Sequence, residues 1–153
     1  MNLHFAHLSR WTIVYLDNCC YSRLTDADAL PDTTIAEAAK IRAIINNRFI
    51  DGYVLIGGFA VSIEMGKNPS ATKRMASKRL YDEIIIDEVN EDEHIIARAR
   101  KLETSGLRKM DAAHLAAAEA ANADYLLTVD KDFIKTCAKP NITAVKVINP
   151  LFF

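Results

Sequence analysis

LRKMDAAHLAAAEAANADYLLTVDKDF, residues 107 to 133, is the stretch whose reading decides the fold. Met110 to Ala123 is Ala-rich and reads as a helix. It feeds a short apolar strand, Tyr125 to Val129, which stops at Asp130 and is followed by Lys131, Asp132 and Phe133. The helix carries Asp111 and His114 at its start, and the strand ends in two more carboxylates, so acidic oxygens gather at one end of a sheet. That is a metal site in outline. Three carboxylates alone are unspecific, so the outline becomes chemistry only if the rest of the chain delivers matching groups to the same place.

Upstream, Thr12 to Leu16 is β-branched and aromatic, apolar on both faces, and ends at Asp17 with Asn18 next; this suits a strand buried on both sides in the centre of a parallel sheet. A polar, Pro-containing connection follows. Thr34 with Glu37 three residues on is a capping-box signature, and Ile35, Ala38, Ile41, Ile45 and Phe49 then repeat at helical spacing. Tyr53 to Ile56 is a second apolar run, left through Gly57 and Gly58. Phe59 to Gly66 reads as a helix carrying Glu64, stopped by Asn68 and Pro69. Ser70 to Leu80 is helical and basic, Ile84 to Ile86 a third strand, and Glu91 to Glu103 a helix with Ile95, Ile96, Ala99 and Leu102 inward, closed by Gly106. Thr143 to Ile148 is a fifth strand. Strands alternating with helices predict an α/β fold on a mostly parallel sheet, organised as one domain over residues 1–153, with residues 1–11 a loosely ordered extension.

The 153 residues suffice for an ordinary core without disulfides or a structural metal. A net charge of -1 gives no whole-molecule basic field, so a nucleic acid would be held by a local patch or through metal ions. Charge is nonetheless segregated: Lys67, Lys73, Arg74, Lys78 and Arg79 form a basic run, whereas Asp82 to Glu93 carries seven acidic residues without a Lys or Arg. Cys19, Cys20 and Cys137 are odd in number and two are adjacent, which suits buried thiols in a reducing cytoplasm better than a disulfide framework. Apolar runs fall far short of the roughly 20 residues of a membrane span. No signal peptide is expected from Met1 to Trp11, and His4 and His7 are assigned no role.

In an open parallel sheet, ligands sit beyond the carboxyl ends of the strands. Asp17 ends the first strand and Asp130 the fourth; as neighbours, their backbones would lie about 5 Å apart. Asp111 and Glu64 begin or follow elements at the same edge. Four carboxylates together oppose one another's ionisation, a cost that bound hard divalent ions remove. Magnesium or manganese prefers such oxygens and supports phosphodiester hydrolysis by water, with no protein nucleophile. Taken singly, each residue has an ordinary reading. Asp111 and Asp130 suit helix N-caps, Glu64 a solvated helix position, Asp17 a turn, and Asp132 the dipole of a first helical turn. His114 is either a ligand or phosphate-orienting group or a packed, locally hydrogen-bonded histidine. Arg23, Arg108, Lys109 and Lys131 lie nearest the acidic edge and suit phosphate neutralisation.

The motifs IVYLD at 13–17, Glu64 after the second strand, MDAAHLA at 110–116 and TVDKDF at 128–133 resemble the PIN-domain nucleases, particularly VapC-like toxins of toxin–antitoxin pairs. The resemblance runs from Ile13 to the C-terminus. It implies a three-layer α/β/α sandwich with strand order 3-2-1-4-5. It also implies Asp17, Glu64, Asp111 and Asp130 as the acidic set for Mg2+ or Mn2+, Thr128 as a supporting hydroxyl and Asp132 as an additional ligand. Asn18 and Cys19 stand where many relatives carry Thr or Ser after the first aspartate, so Asn18 falls at the supporting position. A homodimer, an RNA substrate and an antitoxin that blocks the acidic groove follow from the same likeness. Two rivals remain: a non-catalytic RNA- or protein-binding module of the same fold, and a small phosphohydrolase, disfavoured because Asp17 lacks a second carboxylate two positions on.

Overall fold

β-branched and aliphatic runs of three to six residues pair as five parallel strands in a computed structural model that describes residues 11–26 and 31–153. They are β1 (Thr12–Leu16), β2 (Tyr53–Gly58), β3 (Ile85–Val89), β4 (Tyr125–Leu127) and β5 (Lys146–Ile148), in the order β3-β2-β1-β4-β5. Residues 1–10 of the expected extension, with His4 and His7, lie outside the described residues. β1 is central, and its residues 13–16 are buried because strands flank it on both sides and helices cover both faces.

Two consecutive glycines of β2 show those two faces. A Cβ on Gly57 would meet Tyr81 on one side, while a Cβ on Gly58 would meet Tyr15 and Ala117 on the other. Tyr81 belongs to α4 (Ala71–Ile84), which lies with α1 (Asn18–Thr25) and α2 (Asp32–Asn47). Ala117 belongs to α6 (Lys109–Ala120), packed on α5 (Glu93–Thr104). α3 (Phe59–Gly66) follows β2 directly and α7 (Lys131–Cys137) follows β4. The result is the three-layer α/β/α sandwich. Residues 112–118 of α6 are all buried, and its alanines permit the close approach that a helix buried all round requires.

Several boundaries differ from the sequence reading, each for a local reason. The connection after Asp17 is a helix, α1, despite the weak helix formers Asn18, Cys19, Cys20 and Tyr21, because Cys20 and Tyr21 pack into the core. α2 starts at Asp32, not at a Thr34 cap: Pro31 takes the N-cap position and its carbonyl accepts from the Thr34 N–H at 2.8 Å. Glu37 therefore makes no capping box; its buried carboxylate accepts from Asn149 Nδ2 at 2.7 Å. The inward face of α2 is Thr34, Glu37, Ala38, Ile41, Ile44 and Ile45, which leaves Ile35 and Phe49 exposed. β4 ends at Leu127, because the N–H groups of Val129 and Asp130 leave the ladder for Cys19 Sγ and Thr128 Oγ1. β5 starts only at Lys146, since Thr143 turns to Glu119 and its hydroxyl receives the Val145 N–H.

The close approach at Gly57 is quantitative enough to test. Its added Cβ would sit 2.0 Å from the Tyr81 hydroxyl, and Tyr81 is fully buried edge-on to Tyr21, so the ring has nowhere to go. Gly57→Ala should cost about 1–3 kcal/mol by overpacking. At Gly66 a Cβ meets nothing within 4 Å, so Gly66→Ala should gain about 0.4–1 kcal/mol through the unfolded chain. Urea unfolding of the two variants checks both signs.

Candidate metal centre

Asp17 leaves β1 still paired to its neighbour, its N–H donating to the Leu127 carbonyl at 3.0 Å. This sets its side chain beside Thr128, the next residue of the neighbouring segment. The Thr128 hydroxyl donates to Asp17 Oδ2 at 2.7 Å, and the Cys19 thiol donates to the same oxygen at 3.2 Å. Cys19 Sγ in turn accepts the Val129 N–H at 3.3 Å. One carboxylate oxygen is thus committed to the scaffold. The other, Oδ1, faces inward across the sheet edge.

Two helices bring partners to Oδ1. α6 places His114, 0% exposed, with Nε2 3.1 Å from Asp17 Oδ1, and α3 places Glu64 so that Oε1 bonds the same nitrogen. On the far side of the ring, Nδ1 lies 2.9 Å from the Tyr15 hydroxyl. Asp17, Glu64 and His114 each offer a donor atom within 4.8 Å of the others, the separation at which a single ion is held. His114 is thus buried and hydrogen-bonded, as its ordinary reading has it, yet the bonds it makes are to the site's own carboxylates.

A second acidic group adjoins the first. Arg108, the N-cap of α6, donates from Nε to Asp111 Oδ2 at 3.1 Å and from Nη2 to Asp130 Oδ2. Asp130 caps α7, its Oδ1 accepting from the N–H groups of Asp132 and Phe133 at 2.9 and 3.1 Å. Capping and membership of the site are therefore compatible, because the two oxygens divide the tasks. Burial first, and then the charges of Asp130 and Asp17, hold the Asp111 pKa above its ordinary value, against the opposing pull of Arg108. Asp111 and Asp132 line a cavity of about 180 Å3 together with Arg108 and Thr136.

The structure therefore brings Asp17 and Glu64 together around His114, and joins Asp111 to Asp130 through Arg108. Asp132 is exposed on the first turn of α7. Asn18 opens α1 half-buried. Lys109 and Lys131 are exposed at the starts of α6 and α7. Arg23 is turned to the buried Glu37, with Nε 3.4 Å from Oε1, and the basic run of α4 is partly paired: Lys73 with Asp26 at the end of α1, Lys78 with Asp82 on α4 itself. By sequence Cys19 reads as a core thiol, whereas its sulfur is half-buried at the site and braces Asp17. Its only sequence signal is its position two residues after the strand-ending aspartate. Tyr15 likewise reads as core.

The donor set suits a hard cation. Each group of carboxylates is crossed by a positive or hydrogen-bearing side chain, Arg108 in one and His114 in the other, which is the compensation that clustered anions demand. Burial pulls the His114 pKa down, but the Asp17 charge and then the Glu64 hydrogen bond and charge outweigh it, leaving the group above 6.5. The folded protein then keeps a proton that the unfolded chain releases as pH rises between about 6.5 and the higher folded value. In chelator-treated protein this stabilisation should be complete below about pH 6.5 and lost as pH rises through the folded pKa. Thermal midpoints across that range should fall for the native chain, and this component should vanish in His114→Gln.

Set against known proteins, the chain matches the model of the PIN domain over residues 14–139, which is most of its length. No curated protein matches it.

Proposed function

Because the chain belongs to the PIN domain family, whose members are in general metal-dependent nucleases, we propose that it is a divalent-metal-dependent endoribonuclease. The observation that carries this reading is the meeting of Asp17 and Glu64 oxygens, beside Asp111 and Asp130, at the carboxyl edge of β1 and β4. Asp17, Glu64, Asp111 and Asp130 hold Mg2+ or Mn2+ in this proposal, with Asp132 as an outer ligand. Bound there, the ion supplies the Lewis acidity that makes water a nucleophile near neutral pH and shares the charge developing on phosphate oxygens.

The chain's own groups do the rest. Thr128 and Cys19 fix Asp17 Oδ2, so that Oδ1 alone is presented to the ion. Arg108, which is 63% exposed, pairs with Asp111 and Asp130, and with a cation held by those carboxylates it would be free to pair with an RNA phosphate instead. Lys109 and Lys131 line the approach. RNA, and not a small phosphate ester, is the substrate we favour, since these exposed basic side chains flank the acidic edge and track a backbone. The motif likeness at residues 13–17, 110–116 and 128–133 supports a toxin of a toxin–antitoxin pair, acting in the cytoplasm as a homodimer and silenced by a partner that enters the acidic edge.

Asp17→Asn and Asp130→Asn should fold, since Asn still accepts hydrogen bonds at a strand end and at an N-cap. Either should lower divalent-dependent cleavage of a labelled RNA by about a hundredfold or more, the rate equivalent of losing a few kcal/mol of charge stabilisation. Undiminished cleavage would reject those roles. Arg108→Ala and Lys131→Ala should each reduce the slope of log affinity against log salt by about 0.7 for every single-strand phosphate that the side chain neutralises. Binding measured with a catalytically dead Asp17→Asn background checks this.

A further inference from the structure

Nothing in a metal-site outline says whether the buried imidazole is one of the ligands, and the hydrogen bonds around it answer that question. The Tyr15 hydroxyl is fully buried, and its one hydrogen bond among the described residues is to His114 Nδ1, at 2.9 Å. If Nδ1 donated to it, the hydroxyl's own hydrogen would be left without an acceptor, an arrangement that buried polar groups avoid. So whenever the ring is neutral the hydroxyl donates and Nδ1 accepts. A neutral imidazole that accepts at Nδ1 carries its hydrogen on Nε2.

The other side of the ring leads independently to the same place. Nε2 faces two carboxylate oxygens, Asp17 Oδ1 at 3.1 Å and Glu64 Oε1 in direct hydrogen-bond contact. A bare Nε2 would set three acceptors against one another with no hydrogen among them. A second hydrogen at Nδ1, in the imidazolium, leaves the one on Nε2 in place.

We propose that His114 is a positioning residue and not a metal ligand: its Nε2–H, assigned by the Tyr15 hydroxyl, ties Asp17 Oδ1 to Glu64 Oε1 and aims both carboxylates at the cation. A hydrogen-bearing nitrogen has no lone pair to give, whereas each carboxylate oxygen that accepts from it retains another. The ion's shell is then all oxygen, as hard cations prefer. Gly58 belongs to the same device. A Cβ there would stand 2.9 Å from the Tyr15 hydroxyl and 3.2 Å from the Ala117 Cβ, so glycine leaves the space in which Tyr15 meets the ring. The inference rests on Asp17 and Glu64 being the cation's ligands.

Nitrogen NMR of the full chain labelled with 15N-histidine, metal-free and then titrated with MgCl2, reads the hydrogen directly. Nε2 should be bonded to hydrogen in both states. A bare Nε2 in the Mg2+-loaded protein would overturn the proposal. So would a directly bound imidazole nitrogen seen by pulsed EPR after loading with Mn2+. His114→Ala should weaken Mn2+ binding by about 10–100-fold, the usual effect of losing an outer-shell partner. His114→Gln, which keeps an N–H near the Nε2 position, should recover most of it; a Gln variant no better than Ala counts against the assignment. If Asp17 and Glu64 carboxyl resonances ignore Mg2+ while Nε2 keeps its hydrogen, the ligand set proposed above fails and the hydrogen's assignment stands.

Discussion

Asp17 sits 5% exposed at the carboxyl end of the central strand, and an anion in that position exists only where its charge and lone pairs are met. Three neighbouring segments contribute to meeting them. The residue just past β4, Thr128, brings its hydroxyl through the parallel register of β4 with β1, α1 supplies the Cys19 thiol from its first turn, and α6 supplies the His114 ring. The Asp17 side chain caps no helix N–H, although it occupies the N-cap of α1; its Oδ2 receives the Thr128 and Cys19 hydrogens instead. The pairing of β1 with β4 therefore holds the sheet together and founds the site at once. Were that register to slip by one residue, Thr128 would turn to the opposite sheet face and Asp17 would lose its closest donor.

The packing behind the edge serves the same end. α6 is buried along residues 112–118, and its small side chains let it lie close to β2, where Gly58 meets Ala117. That close approach delivers His114 to the sheet edge at a depth where water does not compete for its hydrogen bonds. Tyr15 spans the gap between sheet and helix, its ring edge-on to the imidazole with centroids 5.8 Å apart. Core and site are continuous here. An aromatic residue counted as core by burial also determines the hydrogen-bonding sense of a residue at the site.

The two acidic groups are compensated differently. His114 is enclosed and holds Asp17 and Glu64 rigidly, while Arg108 is largely exposed and holds Asp111 and Asp130 through a long side chain. An exposed guanidinium is cheap to move, since solvent screens the pair it breaks. An enclosed imidazole is not, because its partners would be left buried and unpaired. The centre thus has a fixed half and an adjustable half, which suits the proposed binding of both a cation and a polyanion.

Much of this was readable from local pattern. Alternation of short apolar runs with helical periods specified the α/β class. Asp17 and Asp130 follow strand ends, Asp111 opens a helix and Glu64 lies on the helix that follows the second strand, and a parallel sheet sends such positions to one side, which is why the sequence suggests them as a set. What pattern could not convey was pairing between distant residues. The helix after Asp17 has poor intrinsic propensity and forms because Cys20 and Tyr21 find a core; the face of α2 was rotated because Glu37 finds Asn149 more than a hundred residues on. Cys19, His114 and Tyr15 acquire their roles only from hydrogen bonds across strands and layers. Sequence by itself determined which end of the sheet is acidic, since backbone periodicity is local. Only the tertiary structure decided which oxygen of each carboxylate is free and which side chains hold it, since hydrogen bonds between remote residues depend on register and depth that no local spacing encodes.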